Sequence, residues 1–410
     1  MNKISFVDKR LIAVFISLFT VALGFGVILP VLPFYTERLA LSTEASPESI
    51  TFHIGFLTSV YPFFQMFFAP LWGQWSDRLG RRPLIIAGLW GFVLMQLLIG
   101  VSTSLWMLYL ARIIGGIFTS AIIPVGYALV SDLTSEKDRT VGIAWAGTSY
   151  SLGVVAGPVV GGLLSRTDLH LFLELGHFLI NDYSAPFFFL AAIGLVLLPI
   201  VSRWLSNTEG GHEKKPTGSR PLKWRQMVWN LSLFLLLSFI YQAALTLFES
   251  VFSIYSKNEL QYDAITIGYG FMVCALVMGL LQPVVVSQKM KKILSGLDQI
   301  ILGFGVFGFC IILLLFTGQL FFVLILVGLL AAGGAFITPN ITSIISLKGS
   351  RAAGEALGIQ NSVNSLGQVI GPIAGSWLLT MNKSLPYLLA GITLILAALL
   401  LFGSKRNVIV

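Results

Sequence analysis

Charged residues and cysteines are scarce in this sequence of 410 residues. Asp, Glu, Lys and Arg make up 11% of it, against about 25% in an average soluble domain. Because the residues AVILMFWYC make up 56%, so few charges cannot cover a water-soluble protein of this size. Intrinsic disorder and a secreted disulfide scaffold are excluded for the same reason. The two cysteines, Cys274 and Cys310, lie in apolar stretches, so we expect no disulfide framework and no metal site.

Several catalytic signatures are also missing. The sequence has no GxxxxGK[ST] phosphate loop, no nucleophile elbow and no HExxH motif. We therefore expect no cofactor, no enzymatic activity and no coupling to ATP hydrolysis. The net charge of +8 lies in short loops between apolar runs, which is not the footprint of a nucleic-acid partner.

Long apolar runs dominate what is present. A spanning helix needs about 20 apolar residues, and twelve runs reach that length. The lipid bilayer is therefore the expected partner of most of the surface, and the fold class is an all-α integral membrane protein. The runs cover approximately 11–35, 54–75, 83–103, 105–130, 141–165, 185–204, 229–256, 265–287, 297–316, 320–346, 353–379 and 385–403.

The basic residues predict the orientation of the chain. With the N-terminus inside, 21 of the 26 Lys and Arg residues fall in inner segments, and four, Arg38, Arg166, Lys257 and Lys383, fall in outer loops. Basic residues determine topology, whereas acidic residues contribute little. Both termini are predicted to be cytoplasmic, in a multi-pass membrane protein.

The chain divides into two similar halves. A polar stretch suggests a cytoplasmic linker at 205–228, between an N-terminal six-helix half (1–204) and a C-terminal six-helix half (229–410). Residues 151–162 read SLGVVAGPVVGG and residues 365–376 read SLGQVIGPIAGS, with seven of twelve positions identical. Such a duplication is a transporter architecture, with the substrate site near the bilayer midplane between the halves.

Glu249 is one of two charged residues deep within the runs. A charge at the bilayer centre costs about 2.5–3.5 kcal/mol on insertion scales, so it needs a polar cavity or a partner. Glu249 shares one helical face with other polar residues, and this face must contact a wet cavity or another helix. Because desolvation disfavours the anion, the carboxyl group there can exchange a proton and attract a cationic substrate. The alternative is a protonated Glu that hydrogen-bonds between helices. The polar face comprises Ser238, Gln242, Thr246, Glu249, Ser253 and Ser256.

Arg112 is the other buried charge. Gly115 and Gly116 follow one turn later, where small residues allow another helix to approach. Arg112 is predicted to be a fixed positive charge that favours ionised carboxyl groups nearby and organises a proton path. The alternative is an Arg that extends to the membrane surface.

A short charged loop joins the second and third runs. Gly80 permits a tight turn, and Asp77 can cap a helix or pair with a base. We expect Arg78 to pair with Asp132, at the cytoplasmic end of the fourth run. Such pairs would hold the cytoplasmic side shut in one conformation; the alternative is that the basic residues only set topology. The gating candidates of this loop are Gly73, Asp77, Arg78, Gly80, Arg81 and Arg82.

The duplicated segments carry small residues at helical spacing, which favours close packing and a kink. They either allow one half to rock on the other or provide static packing. Their residues are Gly153, Gly157, Pro158 and Gly161 in one half and Gly367, Gly371, Pro372 and Gly375 in the other.

The remaining candidates carry weaker signals. Phe248 and Phe252 flank Glu249 and either stack on a ligand or pack in the core. Polar residues within the runs either bind substrate or hydrogen-bond between helices. They are Tyr61, Gln65, Tyr127, Asn340, Asn361, Asn364 and Gln368. The loop residues Asp168, His170, Glu174, His177 and Asp182 have no regular spacing, which favours a solvated loop over a metal site.

These motifs resemble those of the major facilitator superfamily, and within it the twelve-span drug:proton antiporters. Gly73–Arg82 is similar to the signature GxxxDRxGRR, Arg112 with Gly115 and Gly116 to the span-four motif, and Gly153–Gly162 to the span-five antiporter motif. Ser104–Arg112 also resembles tetracycline exporters. Residues 247–255 resemble span seven of quinolone and multidrug exporters, with Glu249 at the acidic position. The resemblance implies a major-facilitator-type bundle of 12 transmembrane helices in two six-helix halves.

The sequence also departs from these relatives. Tetracycline exporters carry an Asp in span one, whereas Val21–Gly26 has none, which argues against tetracycline as the substrate. Multidrug relatives often carry a second acid in span ten, whereas Gly333–Phe336 has none, which argues for one proton per cycle.

The predicted function is proton-coupled export of hydrophobic, cationic drugs by alternating access, in a monomer whose partners are a small-molecule substrate, protons and lipid. The alternatives are a tetracycline-type exporter, or a proton-linked transporter of a metabolite, sugar, lipid or siderophore on the same scaffold. A membrane sensor that transports nothing is a further alternative.

Overall fold

A computed structural model describes residues 8–41, 46–135, 139–165, 173–175, 178–180, 182–205, 224–348 and 353–408. The described chain is almost entirely helical, and the predicted fold class is confirmed. A short antiparallel ribbon pairs β1 (Leu173–Leu175) with β2 (Phe178–Ile180). The helices are α1 (Lys9–Leu41), α2 (Pro47–Leu79), α3 (Arg81–Gly100), α4 (Leu105–Phe118), α5 (Ile122–Leu133), α6 (Arg139–Leu164), α7 (Ala185–Trp204), α8 (Trp224–Asn258), α9 (Ala264–Val285), α10 (Gln288–Ile293), α11 (Gly296–Leu313), α12 (Leu320–Lys348), α13 (Ala353–Met381) and α14 (Leu385–Val408).

Each predicted run corresponds to a helix, with the fourth run divided into α4 and α5 by a 3₁₀ turn at Thr119–Ala121. Within the described residues, eleven of these segments are long and apolar enough to cross a membrane. The helix outside that set is α13, which is 29 residues long but carries a series of amide side chains. Those amides are Gln360, Asn361, Asn364 and Gln368.

Local sequence signals explain several helix ends. The Ser46 hydroxyl caps α2 by accepting a hydrogen bond from Ser49 N, and Pro47 follows at the first helical position. The Asp263 carboxylate accepts from Thr266 N at the start of α9. Gly80 separates α2 from α3 with φ 88°, a conformation that favours glycine.

The described residues form two compact units, one from residues 1–213 with 262–272 and the other from residues 214–261 with 273–410. In the first unit α1 packs along α6, and α3 packs on α4 and α7. In the second unit α13 packs along α8, and α11 packs on α12 and α14. Most of the proposed linker (205–228) lies outside the described residues, and α8 begins within it at Trp224. The free cysteines Cys274 and Cys310 are both buried.

Candidate functional site

The polar face of α8 lies mainly against α13. Ser238 Oγ donates a hydrogen bond to Asn364 Oδ1 at 2.7 Å. Thr246 Oγ1 bonds to the carbonyl oxygens of Gln242, at 2.9 Å, and of Gly367, at 3.2 Å. Ser253 Oγ donates to the backbone oxygen of Glu249 at 3.0 Å. Ser238, Thr246 and Ser253 therefore hold two helices together or bond to their own helix. The Ser256 hydroxyl is buried and has no hydrogen-bond partner among the described residues.

The Glu249 carboxyl group is the ionisable member of this face. The side chain is partly buried on α8. Among the described residues it accepts no hydrogen bond and forms no ion pair, and the hydroxyl of Tyr241 and the thiol of Cys274 lie within electrostatic range of it. The described residues do not supply the interhelical hydrogen bond that would give Glu249 a purely structural role. An ionisable group in a largely apolar environment without a partner is free to bind a proton or a cation.

Gln360 on α13 extends the polar contact and was missed from the sequence. Its Nε2 donates to Ser238 Oγ at 3.2 Å and to Thr342 Oγ1 at 3.0 Å, which joins α8, α12 and α13. It precedes Asn361, which is exposed and whose side chain has no partner among the described residues. The run of amides in this helix was the available signal, but its spacing did not show which amide faces α8.

The other predicted substrate contacts near Glu249 differ in accessibility. Phe248 and Phe252 are both buried, with ring centroids 5.2 Å apart, so they pack in the core of this unit. Gln242 is partly buried and its side-chain amide has no partner among the described residues. Asn340 on α12 is buried, and its Nδ2 donates to Gln299 Oε1 on α11 and to Phe336 O, both at 2.8 Å. Its amide therefore serves helix packing.

Arg112 is held within the first unit and does not extend to the membrane surface. The residue is only 3% exposed. Its Nε donates to Leu57 O at 2.9 Å and its Nη2 to Thr58 O at 3.2 Å. Pro62 has no backbone N–H, so the Thr58 carbonyl lacks its usual partner four residues later. The guanidinium supplies the hydrogen bond that the proline removes.

Tyr61 completes the environment of Arg112. The guanidinium carbon lies 5.0 Å from the centroid of the Tyr61 ring. Thr119 Oγ1 donates to Gly115 O at 2.7 Å, so it accepts from the Tyr61 hydroxyl at 2.6 Å. Tyr61 is thus fixed in the core. Two other predicted contacts, Gln65 and Tyr127, are partly buried and their side chains have no partner among the described residues.

Gln96 lies beside Arg112 and was also missed from the sequence. It is fully buried, and neither atom of its amide has a hydrogen-bond partner in the part of the chain that the structure describes. A cavity of about 10 Å³ is lined by Gln96, Arg112 and Tyr61, among other residues. This volume accommodates about one water molecule, which would satisfy the amide.

The charged loop is organised by Arg81, and the prediction that Arg78 pairs with Asp132 is wrong. Arg81 forms ion pairs with Asp77 at 2.6 Å and with Asp132 at 3.0 Å, and donates a hydrogen bond to Ser76. Arg78 is exposed and has no partner among the described residues. The cause is the turn at Gly80, after which α3 begins at Arg81, beside the end of α5.

The other loop candidates have different environments. Arg82 Nη2 donates to Ser202 O at 3.2 Å, which ties the start of α3 to the end of α7. Gly73 has open space where a side chain would project. A role for these residues in gating remains a prediction.

The small-residue segments pack against the first helix of each unit. A Cβ added at Gly157 would lie 2.6 Å from Cα of Gly26 on α1, and one at Gly161 would lie 2.7 Å from Val27 O. Gly153 faces Phe19 O on the same helix, and Pro158 Cδ also borders Gly26.

In the second unit, an added Cβ at Gly367 would lie 2.9 Å from Ala243 N on α8, and one at Gly375 would lie 2.8 Å from Val251 Cγ2. Gly371, which precedes Pro372, faces Ala243 O and Thr246 Oγ1. These glycines therefore allow α13 to approach the backbone of α8.

Part of the outer-loop prediction cannot be compared with the structure. Asp168, His170 and His177 lie outside the described residues. Within the described residues, no group of three His, Cys, Asp or Glu side chains could hold a metal ion.

The chain is similar over most of its length to drug-resistance proteins. It is 29% identical to "Tetracycline resistance protein, class B" of Escherichia coli, over 89% of this chain and 86% of that protein. It is 26% identical to "Multidrug resistance protein 2" of Bacillus subtilis (strain 168), over 95% of this chain and 94% of that protein. A solved bacterial homologue of the human lysosomal transporter Spinster has a TM-score of 0.74 at 16% identity, and the match covers 97% of this chain and 96% of that chain.

A family model matches nearly all of the helical chain. The model described as Major Facilitator Superfamily matches residues 14–297 and 296–408. The resemblance inferred from the motifs is thereby confirmed. With its eleven apolar helices long enough to span a bilayer among the described residues, the chain is a multi-pass membrane protein that belongs to the Major Facilitator Superfamily.

Proposed function

We propose that this protein is a proton-coupled exporter of hydrophobic, cationic drugs that works by alternating access. The names of its relatives support drug efflux: they are resistance proteins for tetracycline, for multiple drugs and for quinolones. The observation that carries the proposal is the Glu249 carboxyl group, which is partly buried in α8 and has no hydrogen-bond or ion-pair partner among the described residues.

Glu249 supplies both the binding charge and the proton site. As an anion it attracts a cationic drug that enters from the cytoplasm or the inner leaflet. After the protein opens outward, a proton neutralises the carboxylate and the drug leaves. The protonated carrier then returns. Such a cycle requires that substrate and proton compete for one group and that their affinities differ between the two states.

Arg112 contributes a fixed charge to this cycle. An arginine side chain is effectively always protonated in proteins, and this guanidinium donates to the carbonyls of Leu57 and Thr58. We assign it the task of shaping the first unit and its electric field. The proton itself is carried by Glu249.

The proposed setting is the inner membrane of a bacterium, with both termini in the cytoplasm, and the transporting species is a monomer. Lys and Arg are concentrated at the two termini and in the second, fourth, sixth, eighth and tenth connections between the predicted runs. This bias supports the proposed orientation. The bound partners are the drug, the proton and lipid.

The test is drug resistance in a sensitive bacterial host. Cells that express the protein are challenged with a panel of cationic dyes, quinolones and tetracyclines, and wild type is compared with Glu249→Gln, which keeps the shape of the side chain but cannot ionise. We expect resistance to cationic compounds from wild type and none from Glu249→Gln.

Glu259→Gln is the matched control. Glu259 lies just beyond the same helix, and its carboxylate accepts a hydrogen bond from Lys383 Nζ at 2.7 Å, which raises the pKa of Lys383. An exposed pair of this kind contributes little to stability, so this variant should confer wild-type resistance. Full resistance from Glu249→Gln would contradict the proposal.

Tetracycline export is the second candidate, because the relatives at 29% and 30% identity include tetracycline resistance proteins. Resistance to tetracyclines without resistance to cationic dyes would favour it. Resistance to neither class of compound would favour a transporter of metabolites or lipids.

A further inference from the structure

The second unit contains a polar cavity at one end of its helices. Its volume is about 520 Å³, within the range of small-molecule sites. It lies where α9 and α12 end and α13 begins. Its polar lining comprises Gln282 on α9 and Thr342, Ser343 and Ser346 on α12, and none of the described residues that line it is charged.

The polar groups of this cavity have hydrogen-bonding capacity to spare. The side chains of Gln282, Ser343 and Ser346 make no hydrogen bond among the described residues, although a serine within a helix can bond to the carbonyl four residues earlier. Thr342 Oγ1 accepts from Gln360 Nε2 at 3.0 Å, so its own O–H can still donate. The cavity therefore offers an amide and three hydroxyl groups to a ligand.

The remainder of the lining is apolar in character. It comprises Pro339 on α12, Leu357 on α13 and Thr338, whose hydroxyl oxygen is inaccessible. A charged ligand would lose hydration here without meeting an opposite charge among the described lining residues, which is costly. An uncharged compound with hydroxyl or amide groups beside an apolar part would match both kinds of lining.

The cavity is far along the helices from Glu249. Gln360 Nε2 donates to Ser238 Oγ on α8 and to Thr342 Oγ1 on α12, so Ser238 and Thr342 lie at the same level of the unit. Glu249 follows Ser238 by eleven residues, which is about 16 Å along α8.

The cavity also extends away from Glu249. Only four residues separate α12 from α13, and the two helices run antiparallel, so the step from Thr342 to Ser346 leads toward the start of α13. Glu249 lies in the opposite direction, because Thr246 of α8 bonds to Gly367 O, further along α13. A ligand on the hydroxyl groups of this cavity is therefore separate from the acid.

We propose that this cavity is a second binding site, which takes uncharged compounds that carry hydroxyl or amide groups. The connections that follow α9 and α12 are predicted to be cytoplasmic, so in the proposed orientation the site receives its ligand from the cytoplasm. It goes beyond the proposed function, because it requires neither Glu249 nor a charge on the ligand.

The experiment measures equilibrium binding of radiolabelled chloramphenicol, an uncharged amide with hydroxyl groups and an aromatic ring, to the full chain in lipid nanodiscs. Wild type should bind it saturably. Gln282→Leu and Ser346→Ala should each raise the dissociation constant by about fivefold, the typical effect of losing one hydrogen bond between neutral groups.

Matched controls are Gln319→Leu and Ser362→Ala, which remove an amide and a hydroxyl group from exposed positions outside the cavity. Both should bind chloramphenicol as wild type does. Thermal unfolding shows whether each variant is folded, and if Gln282→Leu is not, Ser346→Ala decides.

Separate sites also predict that saturating ethidium does not displace chloramphenicol from wild type. Direct competition would overturn the proposal, by assigning both ligands to one site. The absence of saturable chloramphenicol binding by wild type would overturn it too, and so would unchanged dissociation constants in both cavity variants.

These outcomes are distinguishable from failure of the proposed function. If chloramphenicol does not bind while Glu249→Gln abolishes resistance to cationic dyes, the exporter stands and the cavity is not a ligand site. If chloramphenicol binds as expected while Glu249→Gln retains full resistance, the cavity remains a ligand site and the proposed function is wrong.

Discussion

The two units of this protein pack their helices alike but place their buried charges differently. In the first unit, Gly157 of α6 meets the backbone of α1. In the second unit, Gly371 of α13 meets the backbone of α8. The sequence repeat is therefore a repeat of helix contacts.

The buried charges do not follow this symmetry. Arg112 in the first unit bonds to two carbonyls and covers the Tyr61 ring. Glu249 in the second unit has neither a hydrogen bond nor an ion pair among the described residues. A charge with fixed partners serves structure, whereas a charge without them is available for a ligand. The comparison thus supports the proposal that the second unit carries out the exchange, while Arg112 anchors the first.

The largest effect should come from the shared glycine contact. Gly157→Ala and Gly371→Ala each place a Cβ against the partner backbone, so we expect each to lower the free energy of unfolding by about 3 kcal/mol, as in overpacked cores. Thermal unfolding of purified protein in detergent checks this. Gly305→Ala is the control: its Cβ would meet nothing within 4 Å, and a helical Gly→Ala change should stabilise slightly. A loss in only one unit would break the structural symmetry.

A smaller effect should separate the two charges. Arg112→Leu leaves the Thr58 carbonyl unpaired, but in a Pro62→Ala background the new amide at position 62 can pair with it. We expect the Arg112→Leu change to be about 2 kcal/mol less costly in that background, the typical cost of an unsatisfied buried acceptor. A double-mutant cycle of unfolding in mixed micelles measures this coupling. Additive effects would contradict it, and Glu249→Gln should not reduce stability.

The smallest effect concerns the driving force. With one titratable acid, a monovalent cation leaves as one proton enters, so no net charge moves. A pH gradient should then drive export with about 1.4 kcal/mol per unit, and the membrane potential, worth about 2.3 kcal/mol per charge per 100 mV, should contribute nothing. Proteoliposomes subjected to a pH step or to a potassium-diffusion potential separate the two. Export driven by the membrane potential without a pH gradient would require a second proton per cycle. Glu249 could then not be the single proton site.

Sequence patterns predicted the helices and the small-residue contacts because both depend on local periodicity. The polar face of α8 was predicted for the same reason. Periodicity shows which residues share a face, but it does not show which helix lies opposite. The Ser238 contact with Gln360, 122 residues away, was missed on that account.

Backbone geometry caused the other differences. The prediction for Arg78 failed because the turn at Gly80 decides which arginine faces Asp132, and a φ of 88° cannot be inferred from charge spacing.

The amide-rich helix α13 has a consequence for how this protein is made. It falls outside the set of described helices that are apolar enough to cross a membrane by composition. We therefore expect this helix on its own to insert into the bilayer inefficiently. Its hydrogen-bonding partner Ser238 lies on α8, which is synthesised more than a hundred residues earlier. We therefore expect the insertion of α13 to depend on its hydrogen bonds with α8, which is already present in the membrane when α13 is synthesised.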